Sequence, residues 1–578
     1  MSVPALAMPD ILRDAARRFV RSLCGTGLWL GTLFFAGSLT PSLVPRDALL
    51  QGALSGLVFT VGYGLGAMLR AFWRFLDLPN VEDGRLGRWM KGVAAASCIG
   101  IAALFLWQAS EWQNSVRLPM GLDPVESARP LLVGTVAAVV ALVCLALARL
   151  FRATARLAAD LIDRVAPRRL SVLSGFVLTA LLFWGLGSGV VLETGIRALD
   201  SSYARLDELV DDGLEEPSDP RKTGSAASLL RWEDLGRMGR RAVAAGPTAA
   251  DIERVTGEPA QEPLRVYVGL NSAPSIEERI DLAFREMLRV GAFERSVLVV
   301  ATPTGTGWLD PASQMPLEYL HRGDVATVAV QYSYLASWLA LMVEPTYGAD
   351  TAERLFDRVY DHWRSLPKND RPRLYLHGLS LGALNSDLSV DLYDVIGDPF
   401  HGALWSGPPF PSRTWRQAVG ERLPGTPAWA PRFRDGSVIR FTGASNSLDE
   451  ASAPWGPLRI VFLQYASDPI TFFEVGSAWR APDWFAEPRA SDVSAELRWY
   501  PIITFFQLGL DMILATTTPM GHGHVYAPED YVDAWIAVSD PAGWSPDRAE
   551  ALKRDLRNLP EASSASPPLS MGAGADGP

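Results

Sequence analysis

Five long apolar stretches near the N-terminus, Leu23–Leu43, Leu49–Leu69, Gly92–Trp107, Leu131–Leu147 and Leu173–Leu192, constrain this chain more than any other feature. Each is apolar on all sides, and Arg, Lys, Asp and Glu are confined to the links between them. A helix hydrophobic all round does not suit a soluble surface layer, and about 20 such residues match the hydrocarbon thickness of a bilayer. The pattern predicts about five transmembrane helices. Arg13, Arg17, Arg18 and Arg21 precede the first span. Arg70, Arg74, Arg85, Arg88 and Lys91 fill the second link, and Arg149, Arg152, Arg156, Arg164, Arg168 and Arg169 the fourth. Because basic links stay cytoplasmic, the N-terminus is expected in the cytoplasm and everything after the fifth span outside the cell membrane. No cleavable signal is evident, so the first span is expected to remain as an anchor. No ionisable residue lies deep in the spans, which favours anchoring over transport. Gly56, Gly62, Gly64 and Gly66 could let helices approach closely.

The three cysteines, Cys24, Cys98 and Cys144, lie in or beside the spans, so the exported half is expected to fold without a disulfide. A formal net charge of -11 argues against a nucleic-acid partner. Four regions follow from these shifts: 1–198 as a transmembrane domain, 199–262 as a polar linker, 263–558 as a catalytic domain and 559–578 as a disordered Ser/Ala/Gly/Pro tail. Within the third, strands at Leu264–Val268, Val297–Ala301 and Val325–Val330 alternate with helices at Ile276–Val290 and Thr351–Leu366, as in an α/β domain with a mostly parallel sheet. Further strands are expected at Ala403–Gly407 and Val438–Thr442. Trp499–Ala515 is apolar but interrupted by Pro501 and Asp511, and reads as a buried helix before a membrane span.

The chemistry-bearing motif is His377-Gly378-Leu379-Ser380-Leu381-Gly382, after the apolar run Leu374-Tyr375-Leu376 and before the helix-compatible Ala383-Leu384-Asn385. A serine held between a strand and a helix in a strained turn needs small residues two positions either side, and Gly378 and Gly382 supply them. A nucleophilic serine needs a base, and in this strand-to-helix arrangement the acid and then the histidine follow it in the chain. Of six histidines only His522 and His524 come late enough. His524 is preferred because a helix follows it, with Pro528, Glu529 and Asp530 in the first turn. For the acid, the strand-like Leu458–Ala466 ends at Ser467-Asp468-Pro469, which nominates Asp468, with Asp387 and Glu474 as weaker substitutes. An oxyanion needs backbone N–H donors from Leu381 and from the loop after Ser296–Ala301, where Thr304, Gly305 and Thr306 are the candidates. No Gly-Lys-Ser/Thr follows that loop, which argues against a phosphate cradle.

The segment Ala301-Thr302-Pro303-Thr304-Gly305-Thr306-Gly307-Trp308, the serine motif and Gly521-His522-Gly523-His524-Val525-Tyr526, behind several membrane spans, resemble the bacterial membrane-anchored α/β-hydrolase family found chiefly in actinobacteria. The resemblance covers nearly the whole chain. It implies an N-terminal membrane domain, a C-terminal hydrolase-like domain and a Ser-Asp-His triad, carried here to Ser380, Asp468 and His524 or His522, and it implies no substrate. The expectation is a membrane-anchored serine hydrolase of esterase or lipase type, needing no metal or organic cofactor and acting on a small-molecule or lipid ester or thioester beside the lipid bilayer. An acyltransferase using the same triad, or a non-catalytic scaffold, are the alternatives. Sequence specifies no protein partner.

Overall fold

The computed structural model describes residues 22–78, 85–187, 207, 209–211, 213–244, 246–335, 339–340 and 348–558. The expected tail 559–578, the basic residues Arg13, Arg17, Arg18 and Arg21, and the end of the last expected span at Leu192 lie outside them. The chain divides into two units. The helical unit comprises Met1–Ser188, Val475–Ala481 and Ser494–Leu510, and the sheet unit comprises the rest.

The helical unit contains α1 (Gly25–Ser38), α2 (Ala48–Phe75), α3 (Arg85–Arg117), α4 (Pro130–Ile162) and α5 (Arg168–Trp184). Four helical segments, Ala48–Phe75, Trp89–Met120, Pro130–Ile162 and Arg168–Gly187, are long and apolar enough to cross a membrane. The first expected span does not reach that length. It forms the 14-residue α1 and then an irregular buried segment through Arg46. Pro41 has no N–H and pushes Thr40 out of the helical region, so the helix stops. Its terminal carbonyls are met from near and far: Thr40 Oγ1 donates to Gly37 at 2.7 Å, Gln51 Nε2 to Ser38 at 2.9 Å and Gln507 Nε2 to Thr40 at 3.1 Å.

Gln507 lies on the helix Ile503–Leu514, which confirms a buried helix in the interrupted apolar stretch. Ile503 packs with Leu54 and Val58 of α2, while residues from Asp511 onward belong to the sheet unit. Small residues set the helix spacing. A Cβ on Gly62 would lie 2.6 Å from Phe34, and one on Gly56 would lie 2.5 Å from the Ala137 carbonyl. Gly66 is similarly closed by Thr26, whereas Gly64 faces open space. The three cysteines are free.

The sheet unit is built on seven strands: β1 (Leu264–Val268), β2 (Val297–Thr302), β3 (Val325–Val330), β4 (Arg373–Leu379), β5 (Gly402–Ser406), β6 (Ile439–Thr442) and β7 (Arg459–Leu463). Their order is β1-β3-β2-β4-β5-β7-β6 and every pairing is parallel. Continuous apolar runs such as Val297-Leu298-Val299-Val300 are what a sheet covered on both faces demands, and β2 and β3 are buried throughout. The order reverses between β2 and β4, which opens a crevice at their carboxyl ends, where ligands of such sheets bind.

The described part of the polar stretch 199–262 is folded against β1, in contrast to a solvated linker. Its helices Gly236–Ala244 and Ala249–Thr256 bury Met238, Val243 and Ile252, and the turn Trp232–Leu235 before them buries Leu235. Arg240 is buried with them and donates to the carbonyls of Asp207, Leu209 and Glu233. A guanidinium can enter a core when carbonyls take its protons.

Candidate active site

β4 ends at Leu379, and Ser380 takes φ 58° and ψ -128° before the helix Leu381–Leu388 begins. A non-glycine residue in that region costs about 1–3 kcal/mol and needs surroundings that enforce it. Two glycines do so. A Cβ on Gly378 would sit 2.4 Å from the Gly382 carbonyl, and a Cβ on Gly382 would sit 2.2 Å from the Thr302 carbonyl oxygen at the end of β2. The Ser380 N–H is held by the Ser406 carbonyl at 2.9 Å, tying the turn to β5.

Asp468 follows β7, fully buried, as the N-cap of a short helical turn. One carboxylate oxygen accepts the Ile470 N–H at 2.8 Å. The other meets His524 Nδ1 at 2.7 Å, the Tyr526 hydroxyl at 2.7 Å and the Thr471 hydroxyl at 3.3 Å. The loop carrying His524 is pinned on both sides, by the Gly523 N–H on Ser467 Oγ at 2.9 Å and by the His524 N–H on the Ala515 carbonyl at 2.9 Å. Gly407, directly after the Ser406 that holds Ser380, could not carry a side chain, since its Cβ would lie 2.6 Å from His524 Cε1. These contacts bring Ser380 and His524 to the ends of adjacent strands. His524 Nε2 is buried and has no hydrogen-bond partner among the described residues.

Geometry separates the two candidate histidines. His522 is half-buried, its Nδ1 lies 3.3 Å from the Met520 carbonyl, and its backbone bridges Val525 across the same turn. Asp387 is occupied by the Thr414 N–H and hydroxyl. Among the oxyanion candidates, Leu381 opens its helix, so its N–H has no intrahelical acceptor. The Thr304 N–H does not remain open, because it donates to the Trp308 carbonyl at 3.0 Å. Gly305 and Thr306 complete that loop, where the Thr306 carbonyl accepts from Gln331 and the Gly307 carbonyl from the Tyr267 hydroxyl at 2.6 Å.

Two neighbours escaped the sequence. Tyr526 lies two residues from His524, and only the fold brings its hydroxyl to Asp468. Asp310 caps the helix Pro311–Leu320 and bonds the Tyr531 hydroxyl at 3.2 Å. Burial pushes its carboxyl up to about 7, against the Ala312 N–H, the Tyr531 hydroxyl and nearby His524. The Asp-Pro pair is a helix-start signal that could have marked it. His377, beside the serine motif, is a structural group: its ring lies 2.8 Å from the Leu404 carbonyl and 2.9 Å from Ser313 Oγ, and burial lowers its pKa to about 4.

Comparison with protein families gives two matches. The model described as the alpha/beta-hydrolase family covers residues 264–552, and the one described as the alpha/beta-hydrolase family N-terminus covers residues 39–247. Searches of curated proteins and of solved structures find no match. With a parallel sheet, a serine turn at its switch point and family matches over both parts of the chain, this protein belongs to the alpha/beta-hydrolase family.

Proposed function

We propose that this hydrolase-family protein is a membrane-anchored serine hydrolase of esterase type, with Ser380 as nucleophile, His524 as general base and Asp468 as its orienting acid. The observation that carries the proposal is the Asp468–His524 Nδ1 contact at 2.7 Å, which leaves Nε2 unbonded beside the strand end that holds Ser380. A carboxylate on Nδ1 fixes the tautomer whose Nε2 can take a proton. Ser380 Oγ attacks the acyl carbonyl while its proton passes to Nε2, and the carbonyl electrons move to oxygen, facing the Leu381 N–H. Collapse expels the alcohol or thiol with that proton. Water then attacks the acyl-serine through the same base, releasing the acid. Leu381 also belongs to a buried apolar cluster with Tyr332, Leu384, Ile470 and Ala515, which packs the start of the helix behind Ser380.

The membrane reading rests on the four long apolar helices. The basic links after α2 and after α4 share one side by alternation, so the positive-inside rule sends the chain after α5 to the exterior whether or not α1 crosses. The start of α1 sits level with the basic end of α4, where Arg149 donates to Ser22 Oγ at 2.6 Å, which favours a cytoplasmic N-terminus.

The test is turnover of chromogenic acyl esters and thioesters by the full chain in detergent, with and without an added alcohol acceptor. His524→Ala is expected to lose at least a thousandfold in kcat, and His522→Ala to stay within tenfold. The reverse ranking would refute the assignment, and acyl transfer to the alcohol exceeding hydrolysis would turn the reading to a transferase.

A further inference from the structure

The helical unit carries a second built feature, remote in chemistry from the serine. α4 and α5 form an antiparallel hairpin that closes tightly at Gly175, where a Cβ would lie 2.6 Å from the Ala159 backbone nitrogen. Beside this crossing lies a groove with a volume of about 650 Å³. One wall is aromatic: Phe151 meets Phe176 and Phe183 edge to face at centroid distances of 5.5 and 5.2 Å. Toward the α4–α5 turn the lining changes to Arg152, Arg156 and Arg168.

Among the described residues this charge is not balanced. Arg168 is shared with Asp160 at 3.0 Å and Asp163 at 3.4 Å. Arg152 and Arg156, one turn apart on α4, make no hydrogen bond or ion pair among the described residues. Two unpaired guanidiniums at the mouth of an apolar groove call for an anion attached to an apolar body. Free phosphate would leave the phenylalanines exposed, and a zwitterionic headgroup would bring its own cation against the arginines.

We propose that this groove binds an anionic phospholipid, with the phosphate at Arg152 and Arg156 and an acyl chain along Phe151, Phe176 and Phe183. Arginine pockets between membrane helices on the basic side suit such headgroups. The site rests on the reading of the helical unit as membrane-embedded and is independent of the serine chemistry.

Native mass spectrometry of the full chain in detergent, titrated with phosphatidylglycerol and with phosphatidylcholine of the same chains, tests the site. Phosphatidylglycerol should bind at roughly thirtyfold lower concentration, the fold-change that corresponds to about 1 kcal/mol from each of the two arginines toward an anionic headgroup. Arg152→Gln with Arg156→Gln should erase the difference, while the paired Lys substitutions and Arg169→Gln, which lies off the groove lining, should keep it. Melting curves and fluorophosphonate labelling of each variant confirm a folded chain, so a failed lipid site is distinguished from a failed serine assignment. Equal binding of the two lipids, a preference that survives the double Gln change, or displacement of the lipid by glycerol phosphate alone would overturn the proposal. So would a shift from dimer to monomer in the double variant without a lipid preference in the parent chain, because the groove would then seat a second copy.

Discussion

Replacing Tyr526 with Phe isolates one hydroxyl at the centre of the proposed triad. That hydroxyl donates to the Asp468 oxygen that also meets His524, each at 2.7 Å. The ring is buried and stacked on Tyr465 with centroids 4.5 Å apart, so Phe preserves the packing and removes only the donor. A hydrogen bond to a buried charged group is worth about 1.5–3 kcal/mol, and a loss near 2 kcal/mol lowers the melting temperature by roughly 4 °C. The kinetic effect follows from positioning, because a carboxylate with one donor fewer holds the His524 ring less firmly. About 1.4 kcal/mol of lost positioning lowers kcat about tenfold. The assay is ester turnover together with thermal melting in detergent. Tyr465→Phe is the control, because that hydroxyl serves Asp530 and the Ala527 N–H and does not touch Asp468. A Tyr526→Phe enzyme that melts earlier but keeps its kcat would refute the reasoning and make Tyr526 a packing residue.

Gly382→Ala places a Cβ 2.2 Å from the Thr302 oxygen, against the Thr302 and Pro303 backbone; it should remove nearly all turnover and cost on the order of 3 kcal/mol of stability, read by activity and melting together. His377 is held neutral, with its folded pKa lowered to about 4 from an unfolded value near 6.5. The folded state therefore binds fewer protons between these values, and its stability is present above about pH 6.5 and lost as pH falls toward 4, by up to roughly 1.4 kcal/mol per pH unit. His377→Gln should flatten that acid limb in melting curves, while the raised Asp310 carboxyl, which favours the folded state as pH falls from 7 toward 4, stays unchanged. Gln507→Leu removes the donor at the Thr40 carbonyl, while Gly37 keeps Thr40 Oγ1 and Ser38 keeps Gln51 Nε2, and should cost about 1–3 kcal/mol, seen as earlier melting of the full chain.

The sheet was legible because β-branched runs such as Val325–Val330 are short, continuous and buried on both faces. The serine turn was legible because its geometry excludes any side chain at Gly378 and Gly382, a demand that appears directly in the residue types. The choice between His522 and His524 was not, since both sit among glycines and only contact with Asp468, 56 residues earlier, separates them. The short α1 was hidden for a similar reason. Its apolar composition continues past Pro41, and one of the groups that meet its end is Gln507, 467 residues beyond Thr40. Charge misled at 199–262, where Arg240 is buried because it donates to carbonyls that no local pattern announces. Thr304 suited an oxyanion loop by composition, but the turn that positions it uses its N–H on Trp308.

The most direct test of the serine chemistry is reaction of the full chain, in membranes or detergent, with a fluorophosphonate probe, followed by mass mapping of the adduct. A single adduct on Ser380, absent in Ser380→Ala and strongly slowed in His524→Ala but not in His522→Ala, is the predicted result. A folded chain that takes no label, or takes it on a serine other than 380, would contradict it.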